Sequence, residues 1–156
     1  VTSDSDSEVP VHVRPLVLET VDRLGEIIQG GQDPVRTETP SRPIVVVIVD
    51  SRSRPHLVRQ LGRAVATRLG ARPLGIVGHT DQDPPRHDVG SAFRLAQVAS
   101  DLTLQEWPAQ ALEELRGSVV VLVDDWSDSG WTLTVAARLL REAGAATVHP
   151  FVLAQR

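Results

Sequence analysis

The chain has 156 residues, 41% of them apolar, enough for one compact domain with a sizeable core. Charged residues make up 23% and the formal net charge is -4, so no global field draws the chain onto nucleic acid or an anionic membrane. Cysteine is absent, which excludes disulfides and thiolate metal sites, and no apolar run approaches the ~18 residues of a membrane span.

All 16 basic residues are arginine, and there is no methionine. The acidic opening VTSDSDSEVP is the opposite of a signal peptide, which makes a cytoplasmic location the expectation. A start at Val1 reads as a piece cut from a longer protein, with residues 1–10 a disordered leader. Residues 11–42 read as a helix and a linker. Val13, Leu16, Val17, Val21, Leu24, Ile27 and Ile28 recur at helical spacing, Pro15 suits a first turn, and Gly30 and Gly31 supply the stop. This predicts a helix over 15–29, followed by a linker that carries three prolines in 31–43.

Residues 43–156 read as an α/β unit. IVVVIV at 44–49 is a continuous β-branched run, the mark of a strand buried on both faces. SRSRP follows as a loop. A helix over 56–69 has Leu57, Leu61, Ala64, Val65 and Leu69 on one face and Gly70 as its stop. RPLGIV at 72–77 is a second strand, and the polar 78–90 a long mobile loop. His79, Asp81, Asp83, His87 and Asp88 crowd that loop, and a solvated polar loop is preferred there over a metal site. Residues 92–104 read equally as strand or short helix. A short helix over 108–115, with Trp107 packing its start, leads to a third buried strand over 118–123. A helix over 131–143 and a last strand over 147–154 complete a parallel sheet flanked by helices, with an extra N-terminal helix. Ligands of such sheets bind at the loops beyond the carboxyl ends of the strands, here SRSRP, 78–90 and DDWSDSGWT.

The last of these loops carries the most chemistry. Asp124 and Asp125 end the strand, and Ser127, Asp128, Ser129, Gly130 and Thr132 turn into a helix start. Amides at a helix N-terminus attract an anion, and Gly130 lacks the Cβ that would block a phosphate. Paired carboxylates are poor phosphate ligands but good acceptors for the vicinal hydroxyls of a ribose, so the loop suits a ribose 5-phosphate. The alternative is a plain capping turn, with Asp128 or Ser129 capping the helix and the Asp pair solvated. No GxxxxGK[ST] loop and no nucleophile elbow occur.

VVVLVDDWSDSGWT, followed by AARLLREAGAATVHPFVLA, resembles the signature of the type I phosphoribosyltransferases. The resemblance implies that Asp124 and Asp125 hold ribose hydroxyls and, indirectly, Mg²⁺. It implies that Ser127, Asp128, Ser129, Gly130, Trp131 and Thr132 cradle the 5-phosphate. Asp128 stands where purine-salvage members place a general base, so the implied catalytic set is Asp124, Asp125 and Asp128. Ser51, Arg52, Ser53 and Arg54 occupy the place of the family's pyrophosphate loop, and 78–90 that of its mobile hood. Trp126 and Trp131 flank the turn and either stack on a base or pack. The chain departs from many active members in having no lysine.

A narrower resemblance joins VDSRSRPHLVRQLGRAVA, SAFRLAQVASDL and the signature. These are similar to the C-terminal phosphoribosyltransferase-like domain of some bacterial RecQ-type DNA helicases. The expectation is a module that binds phosphoribosyl diphosphate or a nucleotide, accessory to such a helicase; the alternative is an active transferase. A basic face of Arg52, Arg54, Arg59 and Arg63 would then be available to a DNA backbone.

Overall fold

The computed structural model describes residues 8–30, 42–80 and 90–156. Residues 1–7 of the expected leader, most of the linker and most of the mobile loop, including Asp81, Asp83, His87 and Asp88, lie outside the described residues; at the leader's end Val9 is instead buried in the core, its amide donating to Gln60 Oε1 at 3.2 Å. The elements in chain order are α1 (Arg14–Gly30), β1 (Ile44–Val49), α2 (Pro55–Leu69), β2 (Arg72–His79) and α3 (Ser91–Asp101). They continue with β3 (Leu102–Thr103), α4 (Ala109–Leu115), β4 (Val119–Ser127), α5 (Trp131–Glu142) and β5 (Thr147–Gln155). The segment that read both ways, 92–104, is a helix with a two-residue strand at its end.

The five strands form one sheet in the order β3-β2-β1-β4-β5. Only the β2–β3 pair is antiparallel. From β1 the chain steps one way to β2 through α2, and from β4 it steps the other way to β5 through α5. Crossovers of one hand taken in opposite directions place their helices on opposite faces. The core divides accordingly. On one face Val46, Ile48, Val119, Val121 and Val123 pack against Val17, Val21 and Ile28 of α1 and Val58, Leu61 and Val65 of α2. On the other, Val45, Val47, Val49, Val120 and Leu122 meet Val98, Leu115, Val135 and Leu140 of α3, α4 and α5. The two alternating sets explain why β1 and the first five residues of β4, Val119–Val123, are apolar at every position.

Close approaches at glycine set the layers. A Cβ on Gly62 of α2 would collide with Ile48 Cγ2, so the helix lies directly on β1. A Cβ on Gly25 would stand 3.1 Å from Leu69, which brings α1 down onto α2. Arg68 also forks onto Asp22 at 2.7 and 2.8 Å, but this exposed pair adds little to the apolar contact. The β1–β2 register shifts between Val46 and Val47, and beyond the shift Gly75 lies under the Trp107 ring. The Trp107 indole N–H donates to the Ile76 carbonyl at 2.6 Å.

The sheet reverses direction of growth between β1 and β4, which is where parallel sheets open a crevice for ligands. β4 pairs with β1 only as far as Val123, opposite Ile48. It then runs on through Asp124, Asp125, Trp126 and Ser127, paired on its other side to β5 as far as Gln155. The sequence places the strand end at Val123; the strand is four residues longer because β5 supplies backbone partners that local composition does not reveal. Asp124 and Asp125 therefore stand on a strand that overshoots its neighbour, rather than in a loop.

Candidate functional site

Three segments converge at the carboxyl edge: the β1–α2 loop, the β4 overshoot and the α5 N-terminus. Along β4, alternate side chains point to opposite faces. Asp125 lies on the α2 side, where Arg54 Nε stands 3.6 Å from its Oδ2. Asp124 and Asp125 are 6% and 5% exposed, and the Asp124 Oδ1 accepts the Asp125 amide at 2.8 Å. Burial is the main cause that pushes the Asp124 carboxyl up to about 7, and the hydrogen-bonded, like-charged Asp125 beside it adds to the rise. Amides of Asp125 and Trp126 oppose it only in part.

The turn between β4 and α5 is just Asp128, Ser129 and Gly130. Asp128 and Ser129 are exposed, and Trp131 and Thr132 partly so. Gly130 occupies the N-cap with φ 77°, a left-handed conformation that disfavours a Cβ. No side chain caps α5, so neither Asp128 nor Ser129 takes the capping role that was open in the sequence. The first intrahelical bond is from the Thr134 amide to the Gly130 carbonyl at 3.0 Å. The amides of Trp131, Thr132 and Leu133 precede it and face outward with the positive end of the helix dipole. Ser127 is buried, and its carbonyl accepts the Arg156 amide at 3.0 Å. Trp126, between the two buried positions Asp125 and Ser127, is 44% exposed on the opposite face.

In the β1–α2 loop the Ser51 hydroxyl accepts the Arg54 amide at 3.0 Å, which folds the loop back on itself. Arg52 and Ser53 are exposed. Arg52 Nη2 reaches Asp101 Oδ1 at 2.7 Å, and Arg59 Nη2 stands 3.6 Å from Asp50 Oδ1. Thus three of the four arginines of the expected basic face meet carboxylates; Arg63 lies along a groove between α2 and β2 with Pro73 and Ile76. His79 ends β2, with Nδ1 2.7 Å from Asp101 Oδ2 and Nε2 2.7 Å from the Asp50 carbonyl. Among the described residues no three His, Asp or Glu side chains converge as a metal would require, and no helix is long and apolar enough to cross a membrane.

Sequence reasoning gathered the Asp pair, the turn and the SRSR loop, but it missed Asp50 and Asp101, and it set His79 in a loop. One signal was present. Asp101 falls in the last turn of α3, where a carboxylate opposes the helix dipole and calls for a cationic partner.

Residues 35–156 match the family model described as phosphoribosyl transferase domain. Over 85 residues the chain is 40% identical to an adenine phosphoribosyltransferase of Mycolicibacterium smegmatis, covering 54% of this chain and 44% of the relative. A ribose-phosphate pyrophosphokinase of Nostoc is 31% identical over 87 residues, 56% of this chain and 21% of the relative. The chain thus spans about half or less of the length of the curated relatives it matches. Among solved structures, the hypoxanthine phosphoribosyltransferase of Trypanosoma cruzi in complex with the product IMP superposes with a TM-score of 0.59 at 15% identity, over 92% of this chain and 66% of that one. The hypoxanthine phosphoribosyltransferase of Staphylococcus aureus gives 0.54 at 10% identity, over 90% and 63%. These likenesses show the fold, a type I phosphoribosyltransferase sheet, and the family match shows that the chain belongs to the phosphoribosyl transferase domain family.

Proposed function

We propose that the chain is the ligand-binding and reacting part of a phosphoribosyltransferase that joins a 5-phosphoribosyl group to a purine-type base. The observation that carries this reading is the buried Asp124–Asp125 pair beside the uncapped α5 N-terminus. An acidic pair alone would repel a phosphate, and an amide nest alone would not select a sugar. Set side by side, they suit a molecule with a phosphate at one end and vicinal hydroxyls a few ångströms away.

In this reading the amides and hydroxyls from Asp128 to Thr132 hold the 5-phosphate, with Gly130 leaving room for it, and Ser127 sets the strand end beneath. Asp124 and Asp125 accept the ribose 2- and 3-hydroxyls. Ser51, Arg52, Ser53 and Arg54 take the diphosphate. The bond from the anomeric carbon to the diphosphate oxygen breaks, and a bond from that carbon to a base nitrogen forms. Positive charge that builds on the ribose is stabilised by the nearby carboxylates, and negative charge on the leaving diphosphate by Arg52 and Arg54. Asp128, exposed and ionisable, takes the proton that the base nitrogen sheds. Trp126 offers a half-exposed ring on which a purine stacks.

Mg²⁺ fits the donor set. Two buried, hard, like-charged carboxylates gain from a divalent cation nearby, and the ion supplies charge neutralisation to the diphosphate when bound with it. Adenine is the acceptor first tested, since curated relatives are named adenine phosphoribosyltransferase.

The narrower sequence expectation, an accessory domain of a RecQ-type helicase, gains nothing from the relatives named above, which are transferases and a pyrophosphokinase. The carboxylates facing Arg52, Arg54 and Arg59 also favour a compact diphosphate over a DNA backbone. The test is calorimetric titration with phosphoribosyl diphosphate and Mg²⁺, then pyrophosphate release on adding adenine, in native protein, Asp124→Asn/Asp125→Asn and Asp128→Asn. The reading expects binding and turnover in native protein, loss of binding in the double variant, and loss of turnover with binding kept in Asp128→Asn. Equal heats in native and double variant remove the ribose role, and binding without turnover for any purine base reduces the site to a binding module.

A further inference from the structure

His79 stands with both ring nitrogens against acceptors. Nδ1 is 2.7 Å from Asp101 Oδ2, and Nε2 is 2.7 Å from the Asp50 backbone carbonyl. A carbonyl oxygen has lone pairs and no hydrogen, and so does an ionised carboxylate. A neutral imidazole carries one N–H, so in either tautomer one contact would set lone pair against lone pair at hydrogen-bond distance. Two N–H donors satisfy both contacts at once, which is the imidazolium.

The charges around the ring suit a cation. Asp101, at the end of α3, is 5% exposed, and it shares its other oxygen with Arg52 of the β1–α2 loop at 2.7 Å and the Thr80 hydroxyl at 3.4 Å. Asp50, at the end of β1, adds a second carboxylate, whose Oδ1 is shut from solvent without a hydrogen-bond donor and 3.6 Å from Arg59 of α2. The Asp101 carboxylate thus meets both the ring and Arg52, while the Asp50 carboxylate meets Arg59.

The ring also completes a grip on one residue. The Asp50 amide donates to the Val77 carbonyl of β2 at 3.0 Å, and the Asp50 carbonyl accepts from His79 at the end of the same strand. β2 therefore holds Asp50 at both its backbone polar groups, and Asp50 is the residue from which Ser51, Arg52, Ser53 and Arg54 depart.

We propose that His79 is a positioning residue for the Ser51–Arg54 loop, an imidazolium that bridges the Asp50 carbonyl and the Asp101 carboxylate and so aims the loop at an incoming diphosphate. The ligand in this statement rests on the function proposed above; the bridge does not. When Arg52 leaves Asp101 for a phosphate, His79 remains as the counter-charge of a buried carboxylate that would otherwise be left alone. A ring with a single N–H would keep it in the charge-assisted bond to Asp101. Nε2 then repels the Asp50 carbonyl, and the loop loses its second anchor.

The test is nitrogen-15 NMR on the full chain, following the His79 ring nitrogens and the Ser51 and Arg52 backbone amides together from pH 5.5 to 9. The expected result is two protonated ring nitrogens at the acid end and one titration step. The Ser51 and Arg52 amides shift with the same midpoint. Inorganic pyrophosphate and sulfate, the latter of constant charge over this range, are titrated on both sides of the midpoint. Affinity for both is several-fold weaker above it in native protein, and His79→Gln, with a single donor, holds the weaker sulfate affinity at both pH values. A ring that carries one N–H throughout overturns the proposal, as do loop amides that stay still while the ring titrates. Phosphoribosyl diphosphate binding is read separately. Its loss with the His79–loop coupling intact removes the enzyme reading alone, and loss of the coupling with binding intact removes the role of His79 alone.

Discussion

Replacing Asp124 with Asn should make the protein more stable at neutral pH while weakening its hold on ribose. In the folded chain the Asp124 carboxyl titrates near 7, against an ordinary value of 3.8, chiefly because it is buried and secondarily because Asp125 adjoins it. Its folded value is raised, so its stabilising contribution is complete below the unfolded value and is lost as pH climbs to about 7. At about 1.4 kcal/mol per pH unit, ionising it inside the fold costs on the order of 4 kcal/mol. Coupling to Asp125 and water reaching the crevice reduce this, so about 2–4 kcal/mol is expected at pH 8. Asn keeps the shape and retains an oxygen for the Asp125 amide, now bonded at 2.8 Å, but never ionises. Thermal unfolding by circular dichroism at pH 5 and pH 8 reads the effect. For a chain of this size the variant should melt roughly 5–15 °C above the native protein at pH 8 and much closer to it at pH 5. A difference that is the same at both pH values would refute the argument, since the gain would not then come from ionisation. The same variant makes the binding assay clean, because weaker affinity in a more stable protein is not misfolding.

Three glycines give further checks. Gly62→Ala gains about 1 kcal/mol in helix propensity but drives a methyl into Ile48 on a β-branched, buried strand; urea unfolding should show a net loss of about 1–2 kcal/mol, and a gain would mean that α2 does not lie on β1 as described. Gly75→Ala puts a Cβ 2.7 Å from Trp107 Cζ2 and strains the indole bond to the Ile76 carbonyl. A loss of about 1–3 kcal/mol is expected, with a changed near-ultraviolet signal from Trp107. Gly130→Ala meets no atom within 4 Å, so only its φ of 77° is strained; the expected loss is about 1–2 kcal/mol, less for Gly130→Asn, and a larger loss in denaturant would point to packing rather than backbone strain.

The central strands were legible because their chemistry is local. IVVVIV between Pro43 and Asp50 is apolar at every position, and β1 spans those same residues, Ile44–Val49. The helices α1 and α2 likewise follow from spacing and from glycine stops. The β4 end was not legible, because Asp124, Asp125, Trp126 and Ser127 look like a loop until β5 is laid beside them. For the candidate site, the sequence exposed the Asp pair and the Gly130 turn, whose residues are contiguous. His79 and Asp101 lie 22 residues apart and meet because β2 and β3 pair antiparallel, His79 against Leu102. A short strand of two residues leaves no periodicity to read.

One structural decision accounts for much of the site. By running four residues past its β1 partner, β4 leaves a flank open on the β1 side and carries two acids into it. The open flank is where the β1–α2 loop approaches, which is why Arg54 can stand 3.6 Å from Asp125 without closing a tight ion pair. That distance leaves the acidic pair undercompensated. A fold selected for stability alone would place a neutral residue at Asp124, and the residue's cost is therefore evidence of a task outside folding. A ligand that brings hydroxyl donors and a cation to the pair relieves the conflict the overshoot creates, so binding and stability are coupled at the same two residues.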